Sequence, residues 1–156
     1  MLTLRELSRF GKLTAIERGT LLRALLLLPA IGLGLRLLGF SKVQAMLYTH
    51  MAVGNCEPSP NSTLKIALAA ASMVSIAARR GLYRANCLPT SLVLAHLLGK
   101  QGIAADLRVG VRKVAGALEA HAWVEHNGQP LNDGIDVHER FPAFSQPIKP
   151  RKRAPD

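Results

Sequence analysis

Apolar residues recur at helical spacing through the first third of the chain. A spacing of three and four residues is typical of an amphipathic helix, and it is carried by Leu21, Leu22, Leu25, Leu26 and Leu28. Thr14 and Glu17 have the types and spacing of a capping box, so we expect the helix to start there. Pro29 is expected to kink or end it. The same spacing continues over 31–47, so residues 1–54 are predicted to form a helical segment that buries its leucines against the rest of the protein.

A loop and two further helices are predicted next. Residues 55–62 are rich in Pro, Ser and Asn, a composition typical of a linker or loop. Ser62 or Thr63 is then expected to begin an alanine-rich helix that runs to about Arg80. Another apolar run at helical spacing predicts a helix over about 88–100.

The hydrophobic period then changes from helical spacing to strict alternation. Residues 107–111 alternate apolar and polar side chains, which predicts a half-buried strand. A glycine-containing connection leads to a second predicted strand, 118–126. The Asn127-Gly128 pair is a turn signal, and it precedes a third predicted strand, 129–133. Three short strands joined by tight turns predict a small antiparallel sheet.

The combined pattern predicts an α+β protein of one main domain. The N-terminal helical segment covers 1–54, the linker 55–62 and the core of helices and sheet 63–141. Residues 142–156 hold several prolines and a basic run at 149–153, so we expect a basic and mostly disordered tail.

Composition narrows the choice of partners. The 156 residues are 49% hydrophobic but only 4% aromatic, so the core is expected to consist of Leu, Ala, Val and Ile. The formal net charge of +10 favours acidic partners: a peptide with carboxylates, an anionic membrane surface or nucleic acid. We discount nucleic acid because aromatics are few and no recognition motif occurs.

The N-terminal apolar stretch helps to predict where in the cell the protein is located. The run at 25–35 lacks a cleavage site typical of a signal peptide and is too short to span a bilayer. The cysteines, Cys56 and Cys87, show no spacing typical of a disulfide framework. We therefore expect a cytoplasmic protein, with an interfacial helix and peripheral attachment to the inner membrane as an open alternative.

Cys87 is the first candidate for chemistry. It follows Asn86, a good N-cap residue, and Pro89 suits the first turn of a helix. In the first turn, free backbone amides and the positive end of the helix dipole stabilise a thiolate. The same amides can hold an oxyanion during acyl transfer. The alternative is a buried structural cysteine, so this assignment depends on its companions.

His121 and Asp133 supply those companions. His121 lies in the second predicted strand and Asp133 at the end of the third. If the loop is His126-Asn127-Gly128, with Gly128 at positive φ, the two residues are directly opposed on one face of the hairpin. A two-residue loop would send Asp133 to the other face unless a bulge restored the register. Cysteine, histidine and aspartate in this arrangement are typical of a thiol protease triad.

Alternatives stay open beside this triad. Asp136 rivals Asp133 as the partner of His121. Trp123 shares the predicted face of His121, where it either walls the site and binds substrate or is simply a packed aromatic. No CxxC, HxxxH or HExxH pattern occurs, so we expect no metal site and no cofactor.

The segments around these residues resemble a known family. They are CLPTSL at 87–92, GIAADLRVGV at 102–111, AHAWVE at 120–125 and LND at 131–133. In order and spacing they resemble the transglutaminase-like leader peptidases of lasso peptide biosynthesis, the B proteins of that pathway.

The resemblance implies a papain/transglutaminase-like core, with a Cys-bearing helix packed on a small antiparallel sheet that carries His121 and Asp133. It implies a cysteine peptidase that removes the leader from a ribosomally made lasso peptide precursor through a thioester. A separate ATP-dependent, asparagine-synthetase-like lasso cyclase would then use the freed core. In this family a winged-helix domain captures the leader, and because residues 1–60 show helices without a hairpin pattern, we expect a separate winged-helix recognition protein.

Two alternative functions are kept. A transglutaminase-like acyl transferase shares the triad and the thioester, and differs only in the acceptor of the acyl group. A non-catalytic scaffold would use the basic, leucine-rich N-terminus to associate with a membrane and would not need Cys87.

Overall fold

The computed structural model describes residues 13–49, 60–81, 83–142 and 144. Within them the chain forms five helices and three strands. The helices are α1 (Ala15–Leu38), α2 (Phe40–Thr49), α3 (Pro60–Arg80), α4 (Cys87–Lys100) and α5 (Val137–Arg140), and the strands are β1 (Asp106–Val114), β2 (Ala117–His126) and β3 (Gln129–Pro130). The predicted α+β class is confirmed.

The N-terminal helix starts where its capping box predicts. The Thr14 backbone amide donates to the Glu17 carboxylate at 2.7 Å, and the Glu17 amide donates back to Thr14 Oγ1 at 3.3 Å. The helix does not end at Pro29 but continues to Leu38, because residues on both sides of the proline are buried in the core. It ends at Gly39, whose φ of 79° is one that glycine adopts without strain. The helical run is therefore broken at this glycine and resumes as α2.

The helices form one layer around α4. Alanines dominate the buried face of α3, among them Ala67, Ala70, Ala71, Ala77 and Ala78. Such small side chains allow α1 to approach closely. The core is built from Leu, Ala, Val and Ile, as the composition predicts. α4 contacts α1 and α3 as well as β1 and β2, so the Cys87 helix connects the helical layer to the sheet.

The boundaries of α3 differ from the sequence prediction. The helix begins at Pro60, earlier than the expected start at Ser62 or Thr63, because proline fits a first helical turn, where its missing amide is not needed. Most of the predicted linker, 55–59, lies outside the described residues, as do 1–12.

The sheet is antiparallel with the order β1-β2-β3. β1 pairs with β2 from Asp106 opposite Glu125 to Val114 opposite Ala117. β3 is much shorter than predicted: it pairs only Gln129 with His126 and Pro130 with Glu125.

The predicted three-residue loop His126-Asn127-Gly128 is wrong. His126 pairs with Gln129, so the loop has two residues, Asn127 and Gly128, with φ of 50° and 79°. Positive φ at both positions is the geometry that an Asn-Gly pair favours in a tight hairpin. The positive φ of Gly128 is as predicted, although the register differs by one residue.

The start of the C-terminal tail lies against the sheet. The Val111 amide donates to the Pro142 carbonyl at 3.4 Å, and the Phe144 amide donates to the Val109 carbonyl at 3.1 Å. These bonds lie along the edge of β1 that β2 does not cover. Residues 143 and 145–156 of the predicted disordered tail lie outside the described residues.

Candidate active site

Cys87 is the first residue of α4, as predicted. Asn86 occupies the N-cap with extended backbone, but its side chain makes no capping hydrogen bond. A capping side chain accepts from the second or third helical amide, and Pro89, the third residue, has no amide hydrogen. The Cys87 and Leu88 amides belong to the first turn, where no intrahelical acceptor exists. Cys87 is a free cysteine and is half-buried.

The start of α4 is fixed to β2 through a buried serine. Because β3 ends at Pro130, the Ala122 carbonyl has no strand partner, and Ser91 Oγ donates to it at 3.0 Å. Asn132 Nδ2 donates to the same serine oxygen at 3.0 Å. Ser91 lies one helical turn after Cys87, so both residues occupy one face of the helix. Ala122 follows His121 in β2, and the cysteine end of α4 is therefore anchored beside the histidine-bearing strand.

Asp133 reaches His121 by leaving the ladder. The Leu131 amide still donates to the Val124 carbonyl at 2.9 Å. The Val124 amide then donates to the side chain of Asn132 at 2.8 Å instead of to a strand carbonyl. After Asn132 the chain turns away from β2, and His121 Nε2 donates to Asp133 Oδ2. The predicted contact is present, but it is formed beyond the strand and not between opposed residues.

Two more groups hold the Asp133 carboxylate. The Gly134 amide donates to Oδ1 at 2.7 Å, and Arg140 Nη2 from α5 donates to the same oxygen. Burial raises the pKa of Asp133, but the hydrogen bonds from Gly134, His121 and Arg140 outweigh it and hold the pKa below its ordinary value. The carboxylate is thus kept ionised beside the imidazole.

The rival carboxylate, Asp136, has another role. It accepts from Arg140 Nε at 2.8 Å and so helps to aim the arginine at Asp133. The arrangement brings Asp133 and not Asp136 to His121.

Aromatic rings fix the plane of the imidazole. The Trp123 ring is stacked on His121 with centroids 6.1 Å apart, and the Phe141 ring lies 4.9 Å away, tilted by 34°. Trp123 is 0% exposed. It therefore shares the face of His121 as predicted, but it is a packed support behind the imidazole and not a wall that a substrate touches.

Glu125 adds a second layer of support. This buried carboxylate accepts from Trp123 Nε1 at 2.6 Å, forms an ion pair with Arg108 at 3.5 Å and lies 3.3 Å from His138 Nε2. The His138–Glu125 pair is a histidine–carboxylate contact that the sequence did not reveal, because α5 brings its histidine back over the sheet. Glu125 is already bonded to the indole, so we assign this pair to structure.

The other histidines that the structure describes also have structural bonds. His126 Nδ1 donates to the Ala104 carbonyl at 2.7 Å, and His96 Nδ1 lies 3.3 Å from the Leu47 carbonyl. His50 lies outside the described residues.

The cysteine and the histidine are not directly bonded. No hydrogen bond between the Cys87 thiol and the His121 ring is present among the described residues, so the predicted triad shows its His121–Asp133 contact there and not its thiol contact. Catalytic contacts of this kind often tighten only when substrate binds. The thiol contact therefore stays a prediction.

Residues missed at the sequence level are mostly polar partners of the predicted ones: Ser91, Glu125, Asn132, Arg140 and Phe141. Ser91 could have been found as the polar residue in an otherwise apolar segment of α4. Glu125 bonds to Trp123 and Arg108 within the β1–β2 pair, whereas Asn132, Arg140 and Phe141 depend on the turn after β3, which no local pattern predicts. In the part of the chain that the structure describes, no group of three or more His, Cys, Asp or Glu side chains could hold a metal ion.

Comparisons with known proteins agree with this architecture. A family model described as "Transglutaminase-like superfamily" matches residues 28–145. The chain is also similar to the microcin J25-processing protein McjB of Escherichia coli, with 29% identity over 75 residues, which cover 48% of this chain and 35% of that protein. The matched segment thus spans about a third of that relative's length. No solved structure matches the chain significantly.

Proposed function

The chain belongs to the transglutaminase-like superfamily, and from that premise we propose that it is a cysteine peptidase with Cys87 as nucleophile, His121 as general base and Asp133 as the orienting carboxylate. The observation that carries the proposal is the hydrogen bond from His121 Nε2 to Asp133. It fixes one ring nitrogen, so the other, Nδ1, is the one that serves the thiol. An ionised partner also stabilises the imidazolium that forms when the thiol gives up its proton.

The proposed reaction has two halves. His121 takes the thiol proton as Cys87 Sγ attacks the scissile carbonyl, and the resulting oxyanion accepts hydrogen bonds from the first-turn amides of α4. When the C–N bond breaks, His121 gives its proton to the leaving amine, and the N-terminal part of the substrate stays on Cys87 as a thioester. Water, deprotonated by His121, then attacks this carbonyl and releases a carboxylate and the free thiol.

For the substrate we propose a ribosomally made lasso peptide precursor, cut between leader and core. Support comes from the similarity to McjB, whose name describes processing of microcin J25. Because the similarity covers only part of that protein, the substrate is proposed from it and from the sequence motifs together. The net charge of +10 favours a peptide that carries carboxylates.

The proposed partners follow from this substrate. A separate winged-helix recognition protein would hold the leader, since the described residues 13–49 form helices and not a winged-helix hairpin. The freed N-terminus of the core would pass to an ATP-dependent, asparagine-synthetase-like cyclase. The recognition protein would act by raising the local concentration of precursor at Cys87 rather than by adding a catalytic group.

A second candidate function is acyl transfer to an amine, which the superfamily description favours. Hydrolysis and transfer share the thioester and differ in what attacks it. Mass spectrometry of the leader fragment, with and without an added primary amine, separates them. A free carboxylate in both reactions supports the peptidase, and an amide with the added amine supports the transferase.

The experiment that tests the proposed function combines purified precursor, this chain and the recognition protein. We expect cleavage at one bond, slow with the chain alone and much faster with the recognition protein at low precursor concentration. An intact precursor after prolonged incubation of all three components would refute the peptidase assignment. Full speed without the recognition protein would refute the proposed partner while leaving the peptidase in place.

A further inference from the structure

The outward face of α1 exposes a row of leucines. Leu22, Leu26, Leu33 and Leu37 are 61%, 75%, 57% and 73% exposed. A helix advances by about 100° per residue, so these four positions lie in one stripe along its length. The stripe is opposite the side that carries the buried Leu28. Large apolar side chains in a continuous row are unusual on a water-exposed surface and indicate an interaction site.

Basic residues border this leucine stripe. By the same helical winding, Arg18 and Arg36 fall along one edge and Arg23 along the other, while Lys42 is exposed on α2. Glu17 is the one acidic residue in 13–49, and its carboxylate is bonded to Thr14 in the capping box. The helical layer therefore presents apolar side chains between cations, without an exposed cluster of opposite charge.

We propose that the leucine stripe of α1 is a peripheral docking surface for an anionic lipid membrane. An interfacial helix buries a leucine face at the boundary of headgroups and acyl chains, and arginines at its edges extend their guanidinium groups to lipid phosphates. The cations of the helical layer, on a chain of net charge +10, complement such a surface.

Two features favour lipid in this orientation over other occupants. Contrary to the expectation from the shorter run 25–35, α1 is long and apolar enough to cross a membrane by length and composition, as are residues 62–80, but α1 packs its other face on α3 and α4 within the core. It is therefore placed to lie on a membrane and not across it. Leucine is also under-represented among residues that dominate binding between proteins, where Trp, Tyr and Arg prevail, and the stripe has no aromatic residue.

This docking has a consequence for the candidate active site. Because α1 packs on α3 and α4, and α4 in turn packs on β1 and β2, we place His121 and Asp133 away from the bilayer when the chain lies on lipid through α1. A precursor arriving from solution would meet the site without lipid in the way. The inference does not depend on the chemistry of Cys87.

The test measures co-sedimentation of the full chain with vesicles of phosphatidylcholine and phosphatidylglycerol at roughly 3:1, and of phosphatidylcholine alone. We expect binding to the anionic vesicles that weakens at about 0.5 M salt. The double variant Leu26→Ser/Leu33→Ser should bind at least tenfold less tightly, while keeping the helical circular dichroism and melting temperature of the wild type. Leu118→Ser/Val114→Ser, which changes exposed apolar residues at the β1–β2 turn, is the matched control and should bind like the wild type.

Other outcomes would overturn the proposal. One is the absence of binding to anionic vesicles. A second is that Leu26→Ser/Leu33→Ser binds the vesicles unchanged, whereas the tail variant Arg151→Gln/Lys152→Gln/Arg153→Gln loses binding. That result would assign the affinity for lipid to the basic tail. A wild-type dimer in light scattering that the leucine variant turns into a monomer would assign the stripe to a second copy of the chain. Should the leucine variant misfold, Arg23→Gln/Arg36→Gln decides, because the proposal requires it to lose affinity for the anionic vesicles.

Discussion

His121 and Asp133 are hydrogen-bonded although they are not partners in the β2–β3 ladder. The ladder ends early, Asn132 takes the place of a strand carbonyl, and the chain turns so that the next residue meets the imidazole. The Arg140 guanidinium and the Gly134 amide donate to the other carboxylate oxygen, Asp133 Oδ1. The orientation of the proposed base therefore depends on a short irregular turn and on α5 as much as on the sheet.

Asp133→Asn should lower the rate of precursor cleavage by about a hundredfold or more, because the amide no longer fixes the histidine tautomer or balances its charge. The measurement is kcat under saturating precursor. Asp136→Asn is the matched control and should lose much less, since the Asp136 carboxylate accepts from Arg140 rather than from His121. Equal losses in the two variants would contradict the assignment of Asp133.

The same residue should produce a pH-dependent stability difference. The folded pKa of Asp133 is below its ordinary value of 3.8, so its ionised form stabilises the fold above that pH, and this stabilisation is lost as pH falls through the folded pKa. Urea unfolding should show the wild type more stable than Asp133→Asn at neutral pH, with the gap closing in acid below 3.8. If the difference in unfolding free energy between the two proteins stayed constant below pH 3.8, Asp133 would not titrate in this way.

Arg140 is predicted to be a positioning residue. Arg140→Gln should lower kcat by about fivefold at most, the range that partly exposed ion pairs allow, and leave KM unchanged because the guanidinium bonds to Asp133 and Asp136. Arg140→Lys should recover part of the loss, since a single cation still reaches Asp133. Lys113→Gln, an exposed basic control, should behave as the wild type. A change confined to KM would instead place the arginine in substrate binding.

Ser91→Ala should destabilise the protein by about 1–3 kcal/mol, because it leaves the Ala122 carbonyl and the Asn132 amide without their buried partner. Urea denaturation measures this cost. The exposed Ser72→Ala is the control and is expected to change stability by less than about 0.5 kcal/mol. Similar values for both variants would show that the serine does not anchor α4 to β2.

Gly110→Ala should disturb the ring that packs on His121. A methyl group at Gly110 would lie 2.7 Å from the Phe141 carbonyl oxygen, so the segment that crosses β1 must move. We expect a loss of about 1–3 kcal/mol in stability together with slower cleavage. Gly19→Ala, which meets no atom within 4 Å, is the matched control and should be neutral or stabilising. If Gly110→Ala cleaved the precursor at the wild-type rate, the position of Phe141 would not matter for the function of the site.

Much of the fold was predictable because strong local signals agree with it. The Thr14–Glu17 capping box and the change of period after α4 each have one dominant structural solution, and Asn127-Gly128 marked the place of the turn, although not its loop length. The location of Cys87 at a helix start followed from such signals as well.

The parts that were wrong depend on contacts between distant residues. The three-residue loop was chosen to make His121 and Asp133 opposed, whereas Asn-Gly favours a two-residue loop and the contact is made past the end of β3. Of the two outcomes expected at Pro29, a kink or an end, the end is wrong: helix α1 runs through the proline because packing on both sides outweighs one lost hydrogen bond. The contacts of Arg140 with Asp133 and of His138 with Glu125 need the fold of α5, for which the sequence alone has no periodic pattern.

The most direct test of the proposed peptidase is cleavage of the precursor by single-cysteine variants under reducing conditions, followed by mass spectrometry. Cys87→Ala is expected to leave the precursor intact while its melting temperature stays close to that of the wild type, and Cys56→Ala is expected to cleave at the wild-type rate. An active, folded Cys87→Ala, or a folded Cys56→Ala that has lost activity while Cys87→Ala retains it, would contradict the assignment of Cys87 as the nucleophile.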